Sequence, residues 1–252
     1  MTRVRRAVIL AAGMGVRLGE LGESTPKGFL RLGKSPILAE SIDRLVAAGI
    51  ERVVIATGYR RELFEDLARS RPGLITTAHN PRFADSGSLY SLHCARAELT
   101  EDFLLLESDL IYERRALSEL LDRPEPDVLL VSQPTGAHDA VWVETKEQRL
   151  VSMSKDRKAL GSSIAGELVG ITKVSLPFLR EMLAVGERRF RETLKVDYEM
   201  TGLVQAARAR AMEVHLVPDL VWGEIDDLEH LERARERIYP ELLRRDVSPA
   251  GR

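Results

Sequence analysis

The residues best placed to do chemistry stand directly behind the first apolar run. After Ala7-Val8-Ile9-Leu10 the chain reads Leu10-Ala11-Ala12-Gly13-Met14-Gly15-Val16-Arg17-Leu18, and Pro26-Lys27 follows shortly. Glycines in a turn behind a strand let backbone N–H groups approach a ligand closely, and an arginine and a lysine add cationic charge. Such a set suits a polyphosphate. Two familiar phosphate motifs fail here: Leu18 stands where G-x-G-x-x-G needs its third glycine, and no lysine directly follows the glycines as a G-x-x-x-x-G-K-[ST] loop requires.

A second group consists of acids. Asp109 follows the apolar run Phe103-Leu104-Leu105-Leu106, and Trp222-Gly223-Glu224-Ile225-Asp226-Asp227 places carboxylates just past Leu220-Val221-Trp222. One acid behind a strand is ordinarily a cap or turn residue. Two acids from separate strands can share a Mg²⁺, a hard ion that takes a few carboxylates and leaves its other positions to water and substrate oxygens. Asp109 and Asp226 are the expected ligands, with Asp227 as N-cap of the helix behind it. None of the five histidines falls into a metal-binding or Ser/His/Asp pattern, and Cys94, the single cysteine, reads as a core residue. The absence of a general base suits transfer to an acceptor that is already anionic, a phosphate ester having a second pKa of about 6.

Composition narrows the classes. The chain has 252 residues, a net charge of −2 and no basic stripe beyond Arg3, Arg5 and Arg6, which argues against a nucleic-acid partner. One cysteine excludes an intramolecular disulfide framework, no run is long and apolar enough to span a membrane, and Met1 leads into a charged segment unlike a secretory signal. The expectation is a cytoplasmic enzyme with no membrane partner.

The elements that position these residues alternate between strand and helix. Strands are expected at 7–10, 53–56, 74–78, 103–106, 127–131, 166–172 and 213–217. Helices are expected at 37–48, with Gly49 as its cap, and at 60–70, from Ser88, at 114–122, 176–185 and 197–211, and from Leu228. Segments 140–145 and 149–154 alternate like an antiparallel ribbon. The fold class that follows is α/β: a Rossmann-like three-layer αβα arrangement with a mostly parallel central sheet and a small antiparallel β ribbon. One domain is expected over 1–245, with a disordered tail over 246–252.

The N-terminal signature, the segment Asn80 to Leu92, Glu107-Ser108-Asp109, Gly166-Glu167-Leu168-Val169-Gly170-Ile171 and Trp222 to Asp227 together resemble the choline-phosphate and 2-aminoethylphosphonate cytidylyltransferases. These are nucleotidyltransferases of the nucleotide-diphospho-sugar transferase type. The stretches E-S-D-L-I-Y-E and G-E-L-V-G-I-T-K are more similar to the aminoethylphosphonate enzymes. The resemblance runs from about Val4 to Arg237 and implies Mg²⁺-dependent transfer of CMP from CTP to a phosphonate or phosphate, with loss of pyrophosphate, by a homodimer.

Residue by residue, the resemblance implies that Leu10 and Ala11 belong to the nucleotide-binding turn, that backbone groups of Ala12 and Gly13 meet the base and ribose, that Gly15 and Arg17 meet the triphosphate, and that Lys27 meets the α-phosphate. Gly87 and Ser88 fall at the pyrimidine edge, Asp109 and Asp226 at the metal, and Lys155 and Glu167 at the acceptor. Lys27, Arg17 and Lys155 are the implied catalytic cations. The acids Asp139, Glu144, Glu167, Asp197 and Glu199 favour a primary ammonium on the acceptor, whereas only Trp142, Tyr198 and Trp222 are available for an aromatic cage around a quaternary one. The alternatives are phosphocholine, a sugar or inositol 1-phosphate, and a regulatory module that binds nucleotide without catalysis. The turn at 13–19 and the loop at 156–165 are candidate lids.

Overall fold

A computed structural model describes residues 4–247. Its elements in chain order are β1 (Arg6–Ala11), α1 (Glu20–Ser24), α2 (Ile37–Ala47), β2 (Arg52–Thr57), α3 (Arg61–Ser70), β3 (Ile75–His79), α4 (Ser88–Ala95), β4 (Phe103–Glu107), β5 (Leu110–Tyr112) and α5 (Arg115–Leu121). They continue as β6 (Val128–Ser132), β7 (Trp142–Lys146), β8 (Arg149–Ser154), β9 (Ile164–Val174), α6 (Leu176–Arg189), α7 (Val204–Ala207), β10 (Glu213–Val217), β11 (Trp222–Glu224), α8 (Leu228–Arg233) and α9 (Tyr239–Val247). Of the expected tail, Asp246 and Val247 belong to α9, and Asp246 meets Arg44 at 3.0 Å. Residues 248–252, like Arg3 of the N-terminal cluster, lie outside the described residues.

The central sheet divides two cores, as the continuous apolar runs require. Successive residues of β1 serve opposite faces: Val8 and Leu10 pack with Leu89 of α4 and Phe178 of α6, while Ala7 and Ile9 pack with Leu38 and Ile42 of α2 and Phe64 of α3. On α2, Ile37, Leu38, Ser41, Ile42 and Leu45 are buried as the period predicts, but Val46 points outward. Gly49 follows in the left-handed region, φ 96°, and ends the helix. Cys94 on α4 is only half buried.

The sheet is mixed, which corrects the mostly parallel expectation. Its order is β3-β2-β1-β4-β9-β6-β10-β8-β7 with a further β7–β9 pairing. Parallel pairing holds across β3-β2-β1-β4 and between β6 and β10. Every other pairing in this sheet among the described residues is antiparallel, so that β9-β6-β10-β8-β7 closes on itself as a five-stranded ring. The ring absorbs the expected ribbon, which is β7 paired with β8. Short strands β5 and β11 form a separate antiparallel pair that the sequence did not suggest. The expected helix at 197–211 is shorter: a π-type turn, Tyr198–Leu203, leads into α7, which stops at Ala207.

Asp127 ties the back of this arrangement together. It is 2% exposed and accepts hydrogen bonds from Ser175 N at 2.7 Å, Ser175 Oγ at 3.0 Å and Arg210 Nε at 3.0 Å. Ser175 in turn caps α6, its Oγ accepting from Phe178 N. Replacing Asp127 by Ala strands these donors, and the expected loss is about 3 kcal/mol of unfolding free energy, read from urea melts.

Candidate active site

The carboxyl ends of β1 and β4 open into one cleft, lined by Leu10, Ala11, Ala12, Gly13, Gly15, Lys27, Gly87, Ser88 and Asp109 among others. All the expected nucleotide contacts except Arg17 line it. The turn behind β1 owes its shape to two glycines. Gly15 is left-handed, φ 61°, and a Cβ there would lie 3.4 Å from Lys27 Cγ, so the lysine stem crosses directly over it. At Gly22 a Cβ would come within 2.3 Å of Gly15 O, so α1 packs against the turn backbone. Leu18, which spoils the dinucleotide motif, is buried in a third small core with Ile37, Ile225 and Leu231. A Cβ on Gly13 would meet nothing within 4 Å, so that glycine answers no packing demand of the protein.

The opposite wall is set by Asn80. Its Nδ2 donates to Ser86 Oγ at 2.9 Å and Ser91 Oγ at 3.0 Å, and its Oδ1 accepts from Arg82 N at 2.9 Å. Gly87 is required by close approach, because a Cβ would lie 2.2 Å from Val196 O. Ser88 Oγ accepts from Tyr198 N at 2.9 Å, which leaves its own proton free to donate.

Asp109 and Asp226 are brought together by the β5–β11 pair, in which Glu224 faces Leu110 and Ile225 N donates to Asp109 O at 3.1 Å. Lys27 Nζ donates to Asp109 Oδ2 at 2.7 Å and to Asp226 Oδ1. Arg17 spans Asp226 Oδ2 at 2.6 Å and Asp139 Oδ2 at 2.7 Å. The two expected metal ligands, two of the three expected catalytic cations and Asp139 thus form one ionic cluster. Burial opposes charge on both Lys27 and Asp226, but the carboxylates Asp109 and Asp226 raise Lys27, and Lys27 with Arg17 holds Asp226 down to about 2. Both carboxylates grip one ammonium from hard oxygen donors, a set that also fits Mg²⁺.

The remaining acceptor candidates separate. Lys155 is exposed and acts electrostatically on Glu199, which hydrogen-bonds to Glu107. Glu167 is buried, and Thr135 holds it through backbone N at 2.6 Å and Oγ1 at 2.9 Å. Asp197 gives its two oxygens to Thr201 N and Oγ1, each at 2.9 Å, as N-cap of the turn behind it. Asp227 caps α8 as expected, accepting from His230 N at 2.9 Å. The candidate lids at 13–19 and 156–165 hold short 3₁₀ turns, Val16–Leu18 and Arg157–Ala159, and a Cβ on Gly161 would meet Glu144 Oε1 at 2.3 Å.

Two carboxylates and two histidines add to what the sequence suggested. Glu107 and Glu224 each precede an expected metal ligand by two residues. Burial and neighbouring carboxylates push Glu107 well above the usual range and Glu224 up to about 9. The repeated Glu-x-Asp spacing on a period-two backbone was the available signal. His138 and His230 come together beside Asp139, a grouping that the sequence reading did not place.

A model of the MobA-like NTP transferase domain matches residues 7–201. Over 246 residues the chain is 31% identical to a CMP-5'-(3-aminopropyl)phosphonate synthase from Streptomyces rubellomurinus, covering 93% of this chain and 39% of that protein. Over 243 residues it is 25% identical to a 2-aminoethylphosphonate cytidylyltransferase from Lancefieldella rimae, covering 94% of each. It therefore spans less than half of the first of these relatives and nearly all of the second. The inositol-1-phosphate CTP transferase from T. maritima shares the fold, with a TM-score of 0.81 at 20% identity and 99% coverage of both chains.

The ionic cluster makes stability depend on pH in a stated direction. The folded-state pKa of Asp226 lies below its unfolded value, so its contribution is complete above about pH 4 and is lost as the pH falls towards about 2. In chelator, the stability difference between wild type and Asp226→Asn should shrink by about 2 kcal/mol across that window, measured by urea melts at each pH. A constant difference would remove the ion pair from the account.

Proposed function

We propose that this chain, which belongs to the MobA-like NTP transferase family and is a nucleotidyltransferase, moves the cytidylyl group of CTP onto a small aminoalkylphosphonate, 2-aminoethylphosphonate being the acceptor. The carrying observation is the convergence of Arg17, Lys27, Asp109 and Asp226 at one end of the cleft between the turn behind β1 and Ser88.

In this reading an ionised phosphonate oxygen attacks the α-phosphorus. The new P–O bond forms, the bond to the α–β bridging oxygen breaks, and its electron pair leaves with pyrophosphate. No proton has to be removed from the acceptor. Lys27, kept protonated by its two carboxylates, faces the α-phosphate, and Arg17 faces the leaving pyrophosphate; both offset charge that grows in the transition state. Mg²⁺ held by Asp109 and Asp226 supplies Lewis-acid polarisation of phosphate oxygens when bound. Ser88, its oxygen already accepting from Tyr198 N, donates its proton to the pyrimidine edge.

The acceptor lies on the side of the antiparallel ring. Lys155 reaches the phosphonate, and Glu199 receives the ammonium. Glu107, raised by burial and by Glu199, holds the proton of that pair and leaves Glu199 as the hydrogen-bond acceptor. Glu167 and Asp197, occupied by Thr135 and Thr201, shape the surrounding loops. A primary ammonium suits this site better than a quaternary one, because the aromatic candidates are engaged elsewhere. Trp222 is buried with Nε1 donating to Ser132 Oγ at 2.7 Å, Tyr198 is buried, and Arg157 stacks on Trp142 at 4.8 Å.

Pyrophosphate release with CTP and UTP, each combined with 2-aminoethylphosphonate, phosphocholine or inositol 1-phosphate, tests both halves of the reading. The highest kcat/KM is expected for CTP with 2-aminoethylphosphonate; a clear preference for phosphocholine would overturn the acceptor choice, and a preference for UTP the donor. Lys27→Ala should lower kcat by roughly 10²–10³, in line with the loss of other donors that stabilise transition-state charge. Turnover at the wild-type level would remove Lys27 from the reaction.

A further inference from the structure

A second group of ligand-bearing side chains shares Asp139 with the ionic cluster, and its two histidines take no part in the reaction above. His138 and Asp139 come from the connection between β6 and β7, and His230 from the first turn of α8, and one donor atom of each lies within 4.8 Å of the others. The two imidazole rings are 4.9 Å apart between centroids. His230 is 2% exposed, yet neither of its ring nitrogens has a hydrogen-bond partner. Asp139 Oδ1, 3.5 Å from His230 Nε2, is likewise buried without one. Buried polar atoms are nearly always satisfied, and His230 Nε2 and Asp139 Oδ1 meet each other only as a long ion pair, which leaves both histidine nitrogens able to take an occupant.

We propose that His138, Asp139 and His230 form a binding site for a transition-metal dication of the Zn²⁺, Co²⁺ or Mn²⁺ class that adjoins Asp226, whose ligand atom lies within 4.8 Å of those of Asp139 and His230, but does not include Asp109. Two imidazoles and one carboxylate suit such ions, whereas Mg²⁺ favours oxygen alone. Three protein ligands leave a position for water. The exposed ring of His138 closes the site by side-chain rotation, and Asp227 Oδ2, 3.5 Å from His138 Nε2, adds negative charge beside it.

The site meets the ionic cluster through Asp139, with Asp226 close to the same ligand atoms. Asp139 uses Oδ2 for Arg17 at 2.7 Å and has Oδ1 to spare. A cation on Oδ1 fixes the carboxylate without displacing Arg17, as an outer partner orients a ligand. Occupancy therefore positions Arg17, the residue that also grips Asp226.

Co²⁺ is the probe, titrated into the full chain with excess Mg²⁺ and followed by its visible absorption, which reports nitrogen ligation and low coordination number. One Co²⁺ per chain is expected, displaced by Zn²⁺. His138→Ala, at an exposed position that does not threaten folding, should weaken it by about 10²-fold or more, since even outer-shell partners of metal ligands are worth 10–100-fold. Asp109→Asn should leave Co²⁺ affinity unchanged. Binding that survives His138→Ala but disappears in Asp109→Asn overturns the proposal by assigning the ion to the carboxylate pair, and no Co²⁺ spectrum at millimolar metal overturns it outright. Pyrophosphate release with Mg²⁺ alone reads cytidylyl transfer separately, so failure of this site and failure of the transfer reading are told apart.

Discussion

The interaction on which this structure depends is repulsion among carboxylates gathered at one edge of the sheet. Glu107, Asp109, Glu199, Glu224 and Asp226 act electrostatically on one another there, and such a collection is stable only if its members are neutralised or paired. The chain uses both remedies. Burial and like charge raise Glu107 and Glu199 and push Glu224 up to about 9, so protons are retained among them. Asp226 instead stays ionised, held at about 2 by Lys27 and Arg17. The two cations proposed to serve a polyphosphate are thus also the cations that offset charge at the acidic edge. Acidic convergence and basic turn require each other.

That dependence explains how much of the site was legible. The turn behind β1, Lys27, Asp109 and Asp226 are marked by local patterns: glycines after a continuous apolar run, and acids where such a run ends. Their chemistry is read from a few consecutive residues. Residues whose role is set by distant partners could not be read this way. His138 and His230 meet only because α8 returns to the connection before β7. Glu167 and Asp197 have the residue type expected of an acceptor site, and nothing in the spacing announces that their oxygens also accept bonds from Thr135 and Thr201.

The fold shows the same division. Strands β1 to β4 carry enough β-branched and leucine content to be recognised singly, and their parallel order follows from alternation with helices. Strand identity carries no pairing direction, however, so the antiparallel insertion of β9 between β4 and β6, and the closure of the ring through β7, were out of reach. Strands β5 and β11, of three residues each, are too short for a period to register. Yet this smallest pair places Asp109 against Asp226. The shortest elements therefore carry the most consequential register.

The sheet's two characters also separate the two halves of the proposed chemistry. The cleft proposed for the nucleotide stands at the carboxyl ends of the parallel strands β1 and β4, where loop ends converge by topology. The residues proposed for the acceptor come from the antiparallel ring and the turn before α7, which share with the cleft only the acidic edge. Changes in the ring can reshape acceptor recognition while leaving the glycine turn, Lys27 and the carboxylate pair in place. The exception is Arg17, which bonds Asp226 on one side and Asp139, in the connection leading to β7, on the other. A shift of that connection moves one of two carboxylates on the arginine proposed to face the triphosphate, which gives the proposed acceptor side a mechanical and electrostatic route to the proposed nucleotide side.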